Sequence, residues 1–138
     1  MEFLEIVLKA HSGLRWLALL AIVLAILKLL ATWLGKKEFA KADRTLLRIA
    51  VGLLDLMMLL GLTLIISMYM QTDNLPRHQI EHGVTNIIAI VLAHIATKGQ
   101  SKPGPIRARN AALYLILAVA LIAVSISRLP QGWTMTGM

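Results

Sequence analysis

The chain of 138 residues contains no cysteine. Disulfides are therefore excluded, and so is thiolate ligation of zinc, copper or an iron–sulfur cluster by this chain. Any metal would have to sit on His, Met, a carboxylate or a cofactor ring. Charge is also scarce: 15% of residues are charged, 58% are hydrophobic, and the mean hydropathy is +0.75, well outside the range of a soluble domain. Absent as well are segments of about ten residues alternating apolar and polar, which a transmembrane β-barrel requires. No internal repeat, low-complexity segment or domain boundary is evident, so residues 1–138 read as a single domain.

What the sequence does have is four continuous apolar runs rich in Leu, Ala and Ile: Leu4–Leu34, Leu46–Tyr69, Ile80–Ala96 and Ala111–Ile126. A helix needs about 20 mostly apolar residues to cross a bilayer core of ~30 Å. With their flanks, the runs predict membrane spans of about 4–34, 46–69, 77–97 and 110–128. The expected fold is all-α, an integral membrane four-helix up-and-down bundle with short loops.

The formal net charge of +7 might suggest nucleic acid, but the basic residues lie in the connections beside the spans. There they act as topology signals and as contacts for anionic lipid, and no nucleic-acid partner is expected. Lys36, Lys37, Lys41, Arg44 and Arg48 surround the first connection, and Lys98, Lys102, Arg107 and Arg109 mark the third. By the positive-inside rule these two connections are cytoplasmic, so both termini and the loop QTDNLPR face outward. The expected location is a bacterial inner membrane, crossed several times. The N-terminal MEFLEIVLKA has two glutamates and no basic n-region, which predicts an uncleaved first span rather than a cleaved signal peptide.

Depth turns this topology into a candidate site. His11 lies about seven residues into the first span and His82 about six into the third, so both imidazoles sit about 10 Å below the outer ends at ~1.5 Å per residue. Both spans run inward, and parallel helices of a four-helix bundle usually sit diagonally across the core. Two histidines at one level could then ligate one heme iron from opposite faces. Alternatively, each is a histidine hydrogen-bonded to a neighbouring helix.

Arg15 follows His11 by four residues, on the same face and one turn deeper. A buried arginine there calls for an anion: a heme propionate, Glu81 or a lipid phosphate would each serve. Trp16 fits an interfacial anchor. His78 and His82, four apart, could instead grip a divalent ion completed by Glu81 or His11; the plainer reading makes His78 an exposed residue at a helix start.

Farther in, His94 is 12 residues beyond His82, ~18 Å along a helix, and Asp55 falls at a comparable level. Ionisable groups in a span are costly and should face the interior with a partner, so an Asp55–His94 pair inside the bundle is expected. No second histidine accompanies His94 at that level, which favours one heme over two. Lys28 can snorkel and needs no function. Met57–Met58 and Met68–Met70 offer thioethers to copper but more often such residues fill core gaps, and Gly52 and Gly61 permit close helix approach.

At HSGLRW, residues 11 to 16, followed by LMMLLGL in the second span and EHGVTNIIAI in the third, the chain resembles small four-helix bacterial membrane proteins labelled cytochrome b or cytochrome b561-like. The resemblance covers most of the chain; its specific parts are the first motif and the Glu81–His82 pair. It implies His11 and His82 as axial heme ligands. In such sequences the second helix often has a histidine where this chain has Asp55, so no ligand is expected from that helix.

The function expected is that of an electron-transfer protein holding one b-type heme near its outer face, ligated by His11 and His82 with Arg15 nearby. It would act as a carrier rather than an enzyme, with quinone or quinol and a periplasmic acceptor as its redox partners. The alternative from another class is a cofactor-free accessory subunit of a larger respiratory or photosynthetic membrane complex, or a homo-oligomer. A small multidrug-type transporter ranks last, because such proteins depend on a membrane-embedded carboxylate in the first helix, and here that helix has only Glu2 and Glu5 at its outer end.

Overall fold

The computed structural model describes residues 2–133. They form four helices and no strand: α1 Glu2–Leu34, α2 Lys41–Thr72, α3 Arg77–Ala96 and α4 Gly104–Ser127. Each is long and apolar enough to cross a membrane. The connections, residues 35–40, 73–76 and 97–103, are too short to do anything but return the chain antiparallel, so consecutive helices become neighbours. The helices are arranged in a ring, α1 beside α2 and α4, α3 beside α4 and α2, with α1 and α3 on one diagonal. The seam between α2 and α3 is the most sparsely packed of the four.

Two helices start earlier than the apolar runs. Lys41–Thr45 and Gly104–Asn110 are rich in polar residues, and local chemistry fixes the starts. The Ala40 backbone N–H donates to Asp43 Oδ2 at 2.7 Å, satisfying a donor that the first turn of α2 leaves unpaired. Pro103 precedes α4 and Pro105 lies in its first turn, where a missing N–H costs nothing. Gly104 is needed for contact, since a Cβ there would stand 2.7 Å from the Phe39 backbone nitrogen. The first loop therefore lies directly on the start of α4, and the Arg107 guanidinium covers the Phe39 ring at 3.9 Å.

Small side chains let the helices approach. Ala89, Ala93 and Ala96 on α3, Ala108, Ala111, Ala112 and Ala118 on α4, and Ala18, Ala21 and Ala25 on α1 are all buried, with Ile22, Leu29, Leu47 and Leu115 filling the space between them. Large apolar residues such as Leu20, Leu27, Leu59, Val91 and Leu117 point outward. That distribution suits a lipid surround, in which van der Waals packing rather than apolar burial holds the helices together.

At 20 residues, α3 is the shortest helix. Asn86 meets Ser125 of α4, which sets Ala96 opposite the region of Leu115 in an antiparallel pair. The first three turns or so of α4 thus continue past the Ala96 end of α3.

Candidate functional site

Where α2 and α3 part, a cavity of about 960 Å³ opens into the bundle, at the upper end of the range for cofactor and ligand sites. Its walls are mainly aliphatic and thioether side chains of α1, α2 and α3, including Leu8, Met57, Met58 and Ile65, closed on the α4 side by Ile122 and Ile126. Its polar groups include Glu5, Gln71, Thr72 and Gln79 near the end of the bundle that carries the 73–76 loop and, deeper, His11, Ser12, Arg15, His82 and Asn86.

The ring centroids of His11 and His82 are 6.5 Å apart, with the rings inclined at 73°. Two imidazoles bound axially to one metal through bonds of about 2 Å each would place their centroids roughly 6 Å apart. The His11 ring lies against Gly61 and the Met57 backbone; a Cβ on Gly61 would be 3.3 Å from His11 Cε1, so the glycine leaves room for the ring. His11 Nδ1 is buried with no side-chain hydrogen-bond partner among the described residues, and the Met57 backbone is the hydrogen-bonding group beside the ring.

His82 is held differently. Its Nδ1 lies 3.2 Å from Ser125 Oγ on α4, and the Asn86 amide nitrogen stands one turn along α3, donating to the His82 carbonyl oxygen at 2.6 Å and to Ser125 Oγ at 2.6 Å. One face of the ring is thus tied to α4, while the residue also lines the cavity. The donor set present, two imidazoles facing across an apolar space with a guanidinium on the same wall, fits a heme with an anionic edge.

Arg15 is 7% exposed. Its Nη1 is 3.4 Å from the Gly132 carbonyl oxygen, and its guanidinium carbon is 5.1 Å from the centre of the Trp16 ring. Trp16 in turn packs on Trp133 at 5.9 Å, and Trp133 Nε1 donates to Ser127 Oγ at 2.9 Å. The turn after α4 therefore folds against α1 at Arg15 and Trp16, giving Trp16 a packing role.

Glu81 is engaged by Arg77 at 2.9 Å and Arg128 at 3.5 Å. With His78, Thr85 and Ser125 it lines a separate pocket of about 360 Å³ on the α3–α4 side. Among the described residues no three His, Asp or Glu side chains converge as metal ligands would. Met57 and Met58 pack against the core and line the cavity, whereas Met70 is 80% exposed.

Two expectations are corrected. His94 Nε2 and Asp55 Oδ1 are 2.8 Å apart, but the pair faces outward from the α2–α3 seam, the side chains being 50% and 40% exposed. The reason is the rotation of the two helices about their axes, which turns Asp55, near the middle of α2, and His94, two residues before the end of α3, to the open seam between them. Lys28, expected to snorkel, instead donates to Thr32 Oγ1 at 2.9 Å and Asp43 Oδ1 at 3.1 Å. Asp43, Thr32, Asn86 and Ser125 were missed from sequence. Asn86 at four residues from His82, and Thr32 at four from Lys28, were the signals that could have found two of them.

Comparison with protein-family models, with curated proteins and with solved structures finds no match to this chain.

Proposed function

We propose that the protein is a single-electron carrier of the bacterial inner membrane, holding one b-type heme between His11 and His82 near the outer face, with both termini outside. The observation that carries this reading is the facing of these two imidazoles, 6.5 Å between centroids, at the polar end of an apolar cavity of about 960 Å³. The resemblance of HSGLRW and the Glu81–His82 pair to cytochrome b561-like proteins points the same way. Heme bound there supplies one-electron chemistry, at a potential set by burial and neighbouring charge. His11 and His82 would hold the iron, and Arg15 would balance an anionic edge of the group or the charge that changes with oxidation state. The aliphatic walls exclude water, and quinol or a periplasmic protein is the expected electron partner.

The test is a dithionite-reduced minus oxidised absorbance spectrum of detergent-purified protein expressed with ample heme, alongside His11→Ala and His82→Ala. A b-type α-band in the wild type, lost in both variants, supports the reading; a colourless, correctly folded wild type overturns it.

A second reading, an accessory subunit of a larger membrane complex, is favoured by one observation: the Asp55–His94 pair is directed away from the bundle. Ionisable groups beside a span call for a partner or for water. A colourless protein that purifies with large subunits would support it.

A further inference from the structure

The hydroxyl of Ser125 meets the His82 imidazole, and the tie is built from three residues. The Asn86 amide nitrogen stands 2.6 Å from the His82 carbonyl oxygen and 2.6 Å from Ser125 Oγ. A backbone carbonyl only accepts, so the amide group must present its nitrogen there, which settles an orientation otherwise open to a flip. Its two N–H bonds are directed to the carbonyl and to Ser125, and its contact to His82 Nδ1, at 3.4 Å, is the longest of the three. Ser125 Oγ, 4% of whose residue surface is exposed, is thereby fixed 3.2 Å from His82 Nδ1.

A serine hydroxyl can both give and take a hydrogen bond, because it rotates its single proton. Towards an imidazole with Nε2–H it donates to the bare Nδ1. Towards an imidazole whose Nε2 lone pair is taken by a ligand, Nδ1 holds the proton and the same oxygen accepts it. The contact survives both states without moving a helix, so it fixes the ring's orientation and keeps Nδ1 from being the nitrogen that binds. His11 has no such side-chain arrangement: beside its ring stands the Met57 backbone. The two imidazoles facing each other across the cavity are therefore unequal.

We infer that Ser125, held by Asn86, is a positioning residue for His82: it occupies Nδ1 from the α4 side and reserves Nε2 for the ligand in the cavity. The ligand is taken to be heme, so that part rests on the reading above. A hydrogen-bonded partner on the outer nitrogen of a metal-bound histidine raises its basicity and fixes its tautomer, and loss of such a partner typically weakens binding about 10- to 100-fold.

The test has two arms, with Ser125→Ala and Ser125→Thr. In the first, heme-free protein in detergent labelled with 15N-histidine gives the tautomer and hydrogen-bond state of His82 from long-range 1H–15N spectra, assigned with His82→Ala. The Nδ1 resonance is expected to shift in Ser125→Ala and to return in Ser125→Thr, which restores the hydroxyl. In the second arm, Ser125→Ala loaded with heme is expected to retain it about tenfold less tightly and to have a higher midpoint potential, since a less basic ligand favours the oxidised iron less. Ser125→Thr is again expected to restore both. An unchanged Nδ1 resonance in Ser125→Ala overturns the inference, whatever the second arm gives. A wild type that takes up no heme overturns the electron-carrier reading and the ligand assigned to Nε2, while the first arm still decides whether Ser125 holds the ring.

Discussion

Thr32 Oγ1 donates a 2.7 Å hydrogen bond to Asp43 Oδ1, and solvent reaches neither side chain. Around this contact Lys28 reaches the same carboxylate oxygen at 3.1 Å, and the Ala40 N–H donates to the other at 2.7 Å. One carboxylate thus joins the C-terminal end of α1, the first loop and the first turn of α2, with an acidic group at a helix N-terminus where the dipole favours it.

Asp43→Ala removes three hydrogen bonds and leaves Lys28, Thr32 and the Ala40 N–H to find other partners. Lys28 keeps a third of its side chain exposed, so its charge can still reach water. We expect a loss of about 2–4 kcal/mol in unfolding free energy in detergent, from the cost of leaving buried polar groups unpaired. Asp43→Asn, which preserves volume and one acceptor, is expected to lose less. A change below ~0.5 kcal/mol for the alanine variant would mean that the network is a bystander.

Gly61 and Gly83 offer a paired comparison. A Cβ on Gly61 would come to 3.3 Å from His11 Cε1, and one on Gly83 to 3.3 Å from Ile65 Cδ1. The clearances are equal but the neighbours are not, because the end of an isoleucine side chain gives way at little cost and the His11 ring is part of the proposed site. Gly83→Ala should therefore leave heme retention within about twofold, whereas Gly61→Ala should weaken it roughly tenfold by displacing a ligand. Equal effects in a heme titration would remove His11 from the site.

How far the sequence was legible follows from the same residues. The four spans and their antiparallel order could be read because apolar length and short loops leave little freedom. The common level of His11 and His82 followed from that order by counting. The starts of α2 and α4 were placed five and six residues too late, since Lys41–Thr45 and Gly104–Asn110 look like loop by polarity alone. Rotation of each helix about its axis was the least legible property. With apolar residues on every side, as along α1, no amphipathic stripe says which face turns inward. Lys28 therefore read as a snorkelling residue, and Asp55 and His94 as interior ones. The Ser125 contact was out of reach for a related reason: a partner 43 residues away depends on the rotations of two helices together.

The outward position of Asp55 and His94 makes their contribution small. Half-exposed ion pairs are worth about 0–1 kcal/mol, so Asp55→Asn and His94→Gln are each expected to change the isolated protein's stability by less than about 1 kcal/mol. The same variants measured in native membranes should matter more if a partner subunit covers the seam. Loss of co-purifying subunits in Asp55→Asn, with unfolding unchanged, would favour the accessory-subunit reading over the carrier.

Ala112 tests the close approach of α4 to its neighbours, being fully buried at 0% exposure among other alanines. In lipid the helices gain from packing rather than from leaving water, so extra volume there cannot be repaid by burial. Ala112→Leu is expected to cost at least about 1–3 kcal/mol through overpacking, whereas Leu113→Ala, on the exposed face next to it, should cost far less. Similar losses for the two would mean that α4 does not present its alanines to the core.

The absence of cysteine from all 138 residues makes the topology directly measurable, because any single cysteine introduced is the only thiol. Asn74 and Lys102 are exposed residues of the second and third connections. If the basic first and third connections are cytoplasmic, Asn74→Cys should react with a membrane-impermeant maleimide on intact cells, and Lys102→Cys only after the membrane is opened. The result bears on function as well as orientation. His11 and His82 lie towards the end of the bundle that carries the 73–76 loop, so labelling in the expected sense places the proposed site within reach of a periplasmic electron partner. The reverse pattern would turn the same cavity towards the cytoplasm and exclude such a partner, although the His11–His82 geometry would be untouched.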